Sequence, residues 1–105
     1  MQIRGREVDF KITRLKDAAA MEKALDHMAE SEKKINRKGK LTEVMSATIE
    51  MFRNFVKEVT GEDILEDCDD VEEAKNVYIE MLCEVSKQKE EALGFSMDKI
   101  KSEAK

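Results

Sequence analysis

The sequence lacks several residue types that would commit it to a particular protein class. Its 105 residues include no Trp, no Pro, two Cys, one His and four Gly. Two cysteines are too few for the disulfide framework of a small secreted domain, so free thiols of a cytosolic protein are the simpler interpretation. Because Pro is absent, Gly must supply the ends of the helices.

Long apolar runs are also missing. No stretch approaches the roughly 20 apolar residues that a helix needs to span a bilayer. Residues 1–14 alternate charged and apolar groups, without the hydrophobic run of a signal peptide. We therefore expect a soluble, cytoplasmic protein that has no membrane partner.

No motif for catalysis or metal binding is present. The chain has no Gly-rich phosphate loop, no GxSxG and no HExxH. The acidic stretch Glu62–Glu73 lacks the central Gly of a calcium loop, which favours a helix-capping run of acids. His27, Cys68 and Cys83 show no zinc-ligand spacing, and Cys83 fits a small core residue. We expect no enzyme activity, no cofactor and no metal.

The charge balance argues against nucleic acid as a partner. The net charge is −5, with 41% of residues charged, whereas phosphate binding depends on Lys and Arg. One local basic cluster fits a solvated helix end and loop; it comprises Lys33, Lys34, Arg37, Lys38 and Lys40. A regulator that binds nucleic acid through Arg37, Lys38, Lys40 and Arg53 remains an alternative.

The strongest helical pattern runs from Leu41 to Thr60. Its apolar residues recur at three- and four-residue steps and form one broad stripe: Leu41, Val44, Met45, Thr48, Phe52, Phe55, Val56 and Val59. Gly61 follows as a stop of the left-handed type. The pattern predicts a central helix on which the rest of the chain packs.

Weaker patterns flank this helix. Period-two alternation in residues 2–13 predicts a short β-hairpin with a turn at Arg4-Gly5. A first helix is predicted from Thr13, as N-cap, to about Lys38, and a third from Val71 to about Leu93. Asp70 and Glu73 have the spacing of a capping box.

These elements make one mainly α domain of the α+β type, spanning residues 1–105. A hairpin in residues 2–13 precedes a bundle of three long helices and a short connecting helix in residues 14–93. We expect Ile64 and Leu65 to enter the core, Gly94 to end the third helix and residues 94–105 to form a mobile tail.

Seven Met residues are the one compositional feature with functional weight. Met adapts to irregular space, so it serves equally as core filling or as the lining of a groove for varied partners. Composition alone favours core filling and leaves an adaptable groove as the alternative.

Three segments of the chain resemble those of one known protein family. The segment IRGREVDFKI is similar to a hairpin whose sequence in the relatives is often I-N-G-K-x-Y-x-F-x-F. IEMFRNFVKEVTGEDILEDCDD resembles their F-x-x-F-x-x-x-x-F-G-E-G segment through Phe52, Phe55, Gly61 and Glu62, with Val59 and Asp63 at the usual Phe and Gly. A helix like VEEAKNVYIEMLCEVSKQ follows in this chain and in the relatives. The plan therefore resembles that of the tail assembly chaperones of Firmicutes phages and prophages.

The resemblance implies a non-catalytic function in the cytoplasm of a bacterial host. Such chaperones shield the helical tape-measure protein before the tail tube polymerises, and several self-associate. It therefore implies a tape-measure or other tail protein as partner, and a homo-oligomer. We expect a helix-in-groove contact whose wall includes Met45, Phe52, Tyr78 and Met81.

A second interpretation stays open. The chain would then be a small self-assembling structural or adaptor component of a phage particle, joined to its neighbours by strand addition at the N-terminal hairpin.

Overall fold

A computed structural model of the protein describes residues 1–93. The elements are β1 (Gln2–Ile3), β2 (Arg6–Glu7), α1 (Leu15–Lys34), α2 (Leu41–Thr60) and α3 (Val71–Leu93). The mainly helical plan with an N-terminal hairpin is confirmed. Gly94 and the expected tail at 94–105 lie outside the described residues.

The hairpin is shorter than the alternating pattern predicts. β1 and β2 are antiparallel, with Ile3 opposite Arg6, and Arg4 and Gly5 between them both have positive φ, as a tight hairpin turn requires. Residues 8–13 form no strand. Val8 and Phe10 are buried as expected; Val8 exchanges backbone hydrogen bonds with Met1, just before β1, whereas Phe10 has no strand beside it.

A glutamine side chain replaces the missing strand partner. Gln88 of α3 accepts a hydrogen bond from the Ile12 amide at 2.9 Å and donates one to the Phe10 carbonyl at 3.0 Å. The Arg4 amide donates to a carboxylate oxygen of Glu80 at 3.0 Å. The N-terminal segment therefore packs on the helices of its own chain.

α1 is shorter than expected at both ends. It begins after Arg14, with no side-chain cap, so Thr13 is not the N-cap. It ends at Lys34, because Ile35 is extended and Asn36 organises a turn in which its side-chain oxygen accepts from the Lys38 amide at 3.1 Å.

α2 has the predicted bounds, and Gly61 ends it with φ 75°. The predicted short connecting helix is absent from the described residues, since 64–67 form turns whose bonds join residues three apart. Leu65 is buried and Ile64 half-buried. Asp70 caps α3 by accepting from the Glu72 amide at 2.9 Å, but Glu73 pairs with Arg4, so the reciprocal half of the capping box is missing.

α2 is the central helix, as predicted. It packs against both other helices, while α1 and α3 make no close approach to each other within residues 1–93. The core contains buried residues of α1, of the C-terminal half of α2, of one face of α3 and of the N-terminal segment. The described part is elongated, at 49 × 33 × 22 Å.

Candidate partner-binding surface

The apolar stripe of α2 is longer than the core that covers it. Its buried residues, Met51, Phe55, Val56 and Val59, all belong to the C-terminal half. In α1 the buried residues are Met21 and Ala24, so no residue from 25 to 50 is buried. We call residues 25–50 the distal hairpin; it consists of two helix halves with no third layer over them.

The uncovered part of the stripe is apolar. Leu41 is 74% exposed and Met45 38% exposed, and Ile49, one turn further, is half-buried. These three residues, at four-residue steps on one face, are the distal stripe. In its C-terminal half α2 packs against α3, so the apolar pattern continues there as part of the core.

An open cavity of about 350 Å³ lies beside the distal stripe. Its wall combines α2 with the α2–α3 connection: Thr42, Met45, Ser46, Ile49, Glu50, Arg53, Cys68 and Asp69. The connection therefore reaches back along α2 and forms one side of a shallow groove.

The four residues expected in a groove do not form one surface. Phe52 and Tyr78 are half-buried neighbours, with ring centroids 5.2 Å apart, and Tyr78 also meets Phe55 edge-on at 5.1 Å. Met45 lies on the distal stripe. Met81 has no exposed surface, because the inward face of α3 carries it into the core, so its inclusion in the groove wall is wrong.

The methionines divide in the same way. Met21, Met51 and Met81 fill the core, and Met28 is half-buried. Met45 alone among the Met residues of α1, α2 and α3 is exposed. Core filling is thus the commoner use of Met here, as composition favours, and only Met45 has the exposure that a groove contact requires.

The two ends of the distal stripe carry opposite charge. The basic cluster predicted for a helix end and loop lies where α1 turns into α2, next to Leu41. Lys38 and Lys40 of this cluster are exposed and form no ion pair with the rest of residues 1–93. Asp69 lies at the other end, in the connection, and is exposed. The charge of this surface therefore changes from positive to negative along α2.

Arg53 does not reverse the charge at the acidic end. Its Nε and one terminal nitrogen donate to the two carboxylate oxygens of Asp63, at 2.8 and 2.6 Å. These bonds hold the pKa of Asp63 below its usual value and raise the pKa of Arg53. Because this charge is matched within the chain, Arg53 is a poor member of the basic set considered for nucleic acid.

The remaining polar candidates have structural surroundings. His27 is exposed and its Nδ1 lies 2.5 Å from a carboxylate oxygen of Glu58, which links α1 to α2. Cys83 is exposed, so its expected place in the core is wrong: Met81 and Val85 take the inward positions of that turn. Cys68 donates to the Asp70 carbonyl at 3.2 Å.

Neither a metal centre nor a membrane span is found in the described range. No group of three or more His, Cys, Asp or Glu side chains within residues 1–93 is placed to hold a metal ion. None of the helices there is both long and apolar enough to cross a bilayer.

Sequence reasoning missed two features of this surface. It placed Met45 in a groove wall but did not predict that the N-terminal half of the stripe is uncovered, although the polar sequence AESEKKINRKGK opposite that half already signalled that little apolar material could cover it. It also interpreted Asp69 only as part of the acidic run before the third helix, whereas this residue enters the groove wall because the connection folds back.

Comparison of the chain with protein-family models, curated proteins and solved structures finds no match.

Proposed function

We propose that this protein is a non-catalytic tail assembly chaperone of a phage or prophage, which shields the helical tape-measure protein before the tail tube polymerises. The observation that carries the proposal is the uncovered distal stripe, with Leu41 74% exposed beside an open groove. The resemblance in sequence plan supplies the identity of the partner.

The surface suits an apolar helix. α2 and the folded-back connection form the two sides of a groove whose floor includes Met45 and Ile49. A partner helix laid there would contribute the third layer that α3 contributes over the C-terminal half of α2. Residues at three- and four-residue steps on that helix would contact the distal stripe.

Shielding of this kind requires weak, repeated contacts. The exposed residues of the distal stripe are Leu41 and Met45 rather than the Trp, Tyr and Arg that dominate tight interfaces. Several copies along one long partner would together cover its apolar face, and each could still leave when the tube subunits arrive. Phe52 and Tyr78, at the edge of the core, are secondary contacts in this mechanism.

Co-expression with the tape-measure protein of the same genome tests the proposal. We expect the long partner to stay soluble and to purify with many copies of this protein, as light scattering of the complex would show. The proposal fails if the partner precipitates while this protein elutes alone.

A matched pair of variants localises the contact. Met45→Glu places a charge on the distal stripe and should abolish co-purification. Leu15→Glu places the same charge on another exposed apolar residue, 89% exposed at the start of α1, and should leave co-purification unchanged. Equal loss in both variants would exclude the distal stripe as the binding surface.

The alternative of strand addition at the hairpin receives less support. β1 and β2 have two residues each, and β1 packs against α3. So short an edge offers few backbone hydrogen bonds to an added strand.

A further inference from the structure

We propose that the distal stripe also pairs with the distal stripe of a second copy, so that two α2 helices lie antiparallel about a two-fold axis near Met45. The pairing concerns the protein alone and goes beyond the proposed function. Its test contains no tape-measure protein, so either proposal can fail without the other.

The charge pattern selects a second copy as the occupant. A two-fold axis brings each end of a surface against the opposite end of its copy. Here one end carries Lys38 and Lys40 and the other carries Asp69, all three exposed. The surface is therefore complementary to itself when the two helices run in opposite directions, and in the parallel arrangement like charges would face each other.

The spacing of the residues agrees with this arrangement. A helix rises about 1.5 Å per residue, so Leu41 and Ile49 lie about 6 Å on either side of Met45. Around an axis at Met45, Leu41 of one copy meets Ile49 of the other, and the two Met45 side chains meet each other. The flexible Met side chain tolerates a self-contact of this kind.

The charged groups then fall outside the apolar contact. Lys38 and Lys40 precede Leu41, so they extend past Ile49 of the other copy towards its Asp69, which lines the same groove as Ile49. The arrangement has an apolar centre and a charged rim, which is the usual anatomy of a protein interface.

The two pairs of helix halves would together make a four-helix arrangement. In each copy the distal half of α1 already packs beside the distal half of α2, where Ser31, Ile35, Ala47 and Met51 line a second cavity of about 370 Å³. Adding the copy covers Leu41 and Met45 without moving the core, whose buried residues all lie outside residues 25–50.

Sedimentation equilibrium over a range of concentrations measures the pairing directly. We expect a monomer–dimer equilibrium for the wild type and a dissociation constant raised more than about tenfold by Met45→Glu. Leu15→Glu, the control on the other part of the molecule, should leave the constant unchanged, and circular dichroism confirms that both variants are folded. A wild type that stays monomeric, or a dimer indifferent to Met45→Glu, would overturn the proposal.

Charge reversal tests the antiparallel direction. Lys40→Glu and Asp69→Lys should each weaken the dimer by about twofold or more, since rim charges contribute modestly. The double variant restores opposite charges at both ends and should recover most of the loss. If the double variant is weaker than either single variant, the helices do not pair in this direction.

Discussion

Removing the side chain of Phe10 tests whether the N-terminal segment is part of the core. The segment carries only two-residue strands, yet Ile3, Val8 and Phe10 are among the largest fully buried side chains of the described protein. A two-stranded hairpin is marginal by itself in water. The contacts with α3 must therefore hold it in place.

The expected magnitude follows from burial. Phe10 is 1% exposed, so Phe10→Ala removes nearly all of a buried ring and leaves a cavity. Such a change costs about 3–5 kcal/mol, against a total stability of about 5–15 kcal/mol for a domain of this size. The melting temperature should fall by more than about 10 °C.

Urea denaturation followed by circular dichroism gives the free energy of unfolding for both proteins. Lys11→Ala is the matched control, because Lys11 is the exposed neighbour of Phe10 and its replacement should stay within about 0.5 kcal/mol. A loss below about 1 kcal/mol for Phe10→Ala would refute the packing of this segment on its own helices.

Two further variants test local features of the connection after α2. Asp63→Asn removes the carboxylate bound by Arg53, and because that bond lowers the pKa of Asp63 below 3.8, the carboxylate stabilises the folded state above that pH. The wild type should therefore be more stable than Asp63→Asn at pH 7, and this difference in stability should vanish as the pH falls through the lowered pKa. Urea midpoints at several pH values measure the difference. A difference that widens in acid would contradict the pairing. Gly61→Ala should lower the free energy of unfolding by about 1 kcal/mol, because φ is 75° and an alanine strains this left-handed backbone. Nothing lies within 4 Å of the added Cβ, so no steric clash adds to the strain. An unchanged urea midpoint would show that the helix ends differently.

The central helix could be predicted from sequence because every local signal agrees there. Leu41 to Thr60 has a continuous stripe, a Gly stop and no competing turn residue, and the structure has the same bounds. α1 was harder, because its C-terminal end is uniformly polar and a turn organised by Asn36 competes with the helix. Periodicity carries no information about that competition.

Burial along the stripe could not be predicted in the same way. Periodicity shows which face of α2 is apolar, but the length of that face that is covered depends on where α3 begins. The connection folds back as far as Ile49 before α3 starts at Val71, so α3 covers only the C-terminal half. The exposure of Met45 and the burial of Met81 both follow from this placement, which depends on tertiary packing rather than on a local pattern.

The two proposed partners of the distal stripe exclude each other on any one copy. A second copy and a tape-measure helix both cover Leu41 and Met45, so self-association lowers the apparent affinity for the partner once the protein is above its own dissociation constant. Pairing of two copies covers the distal stripe of the free protein, and this limits the nonspecific association that an exposed apolar patch promotes. A partner helix therefore displaces the second copy only where its own contact with the stripe is favoured over self-pairing at the concentrations present. Weak pairing is therefore what a reversible shield requires, because a tight dimer would keep the stripe from its partner.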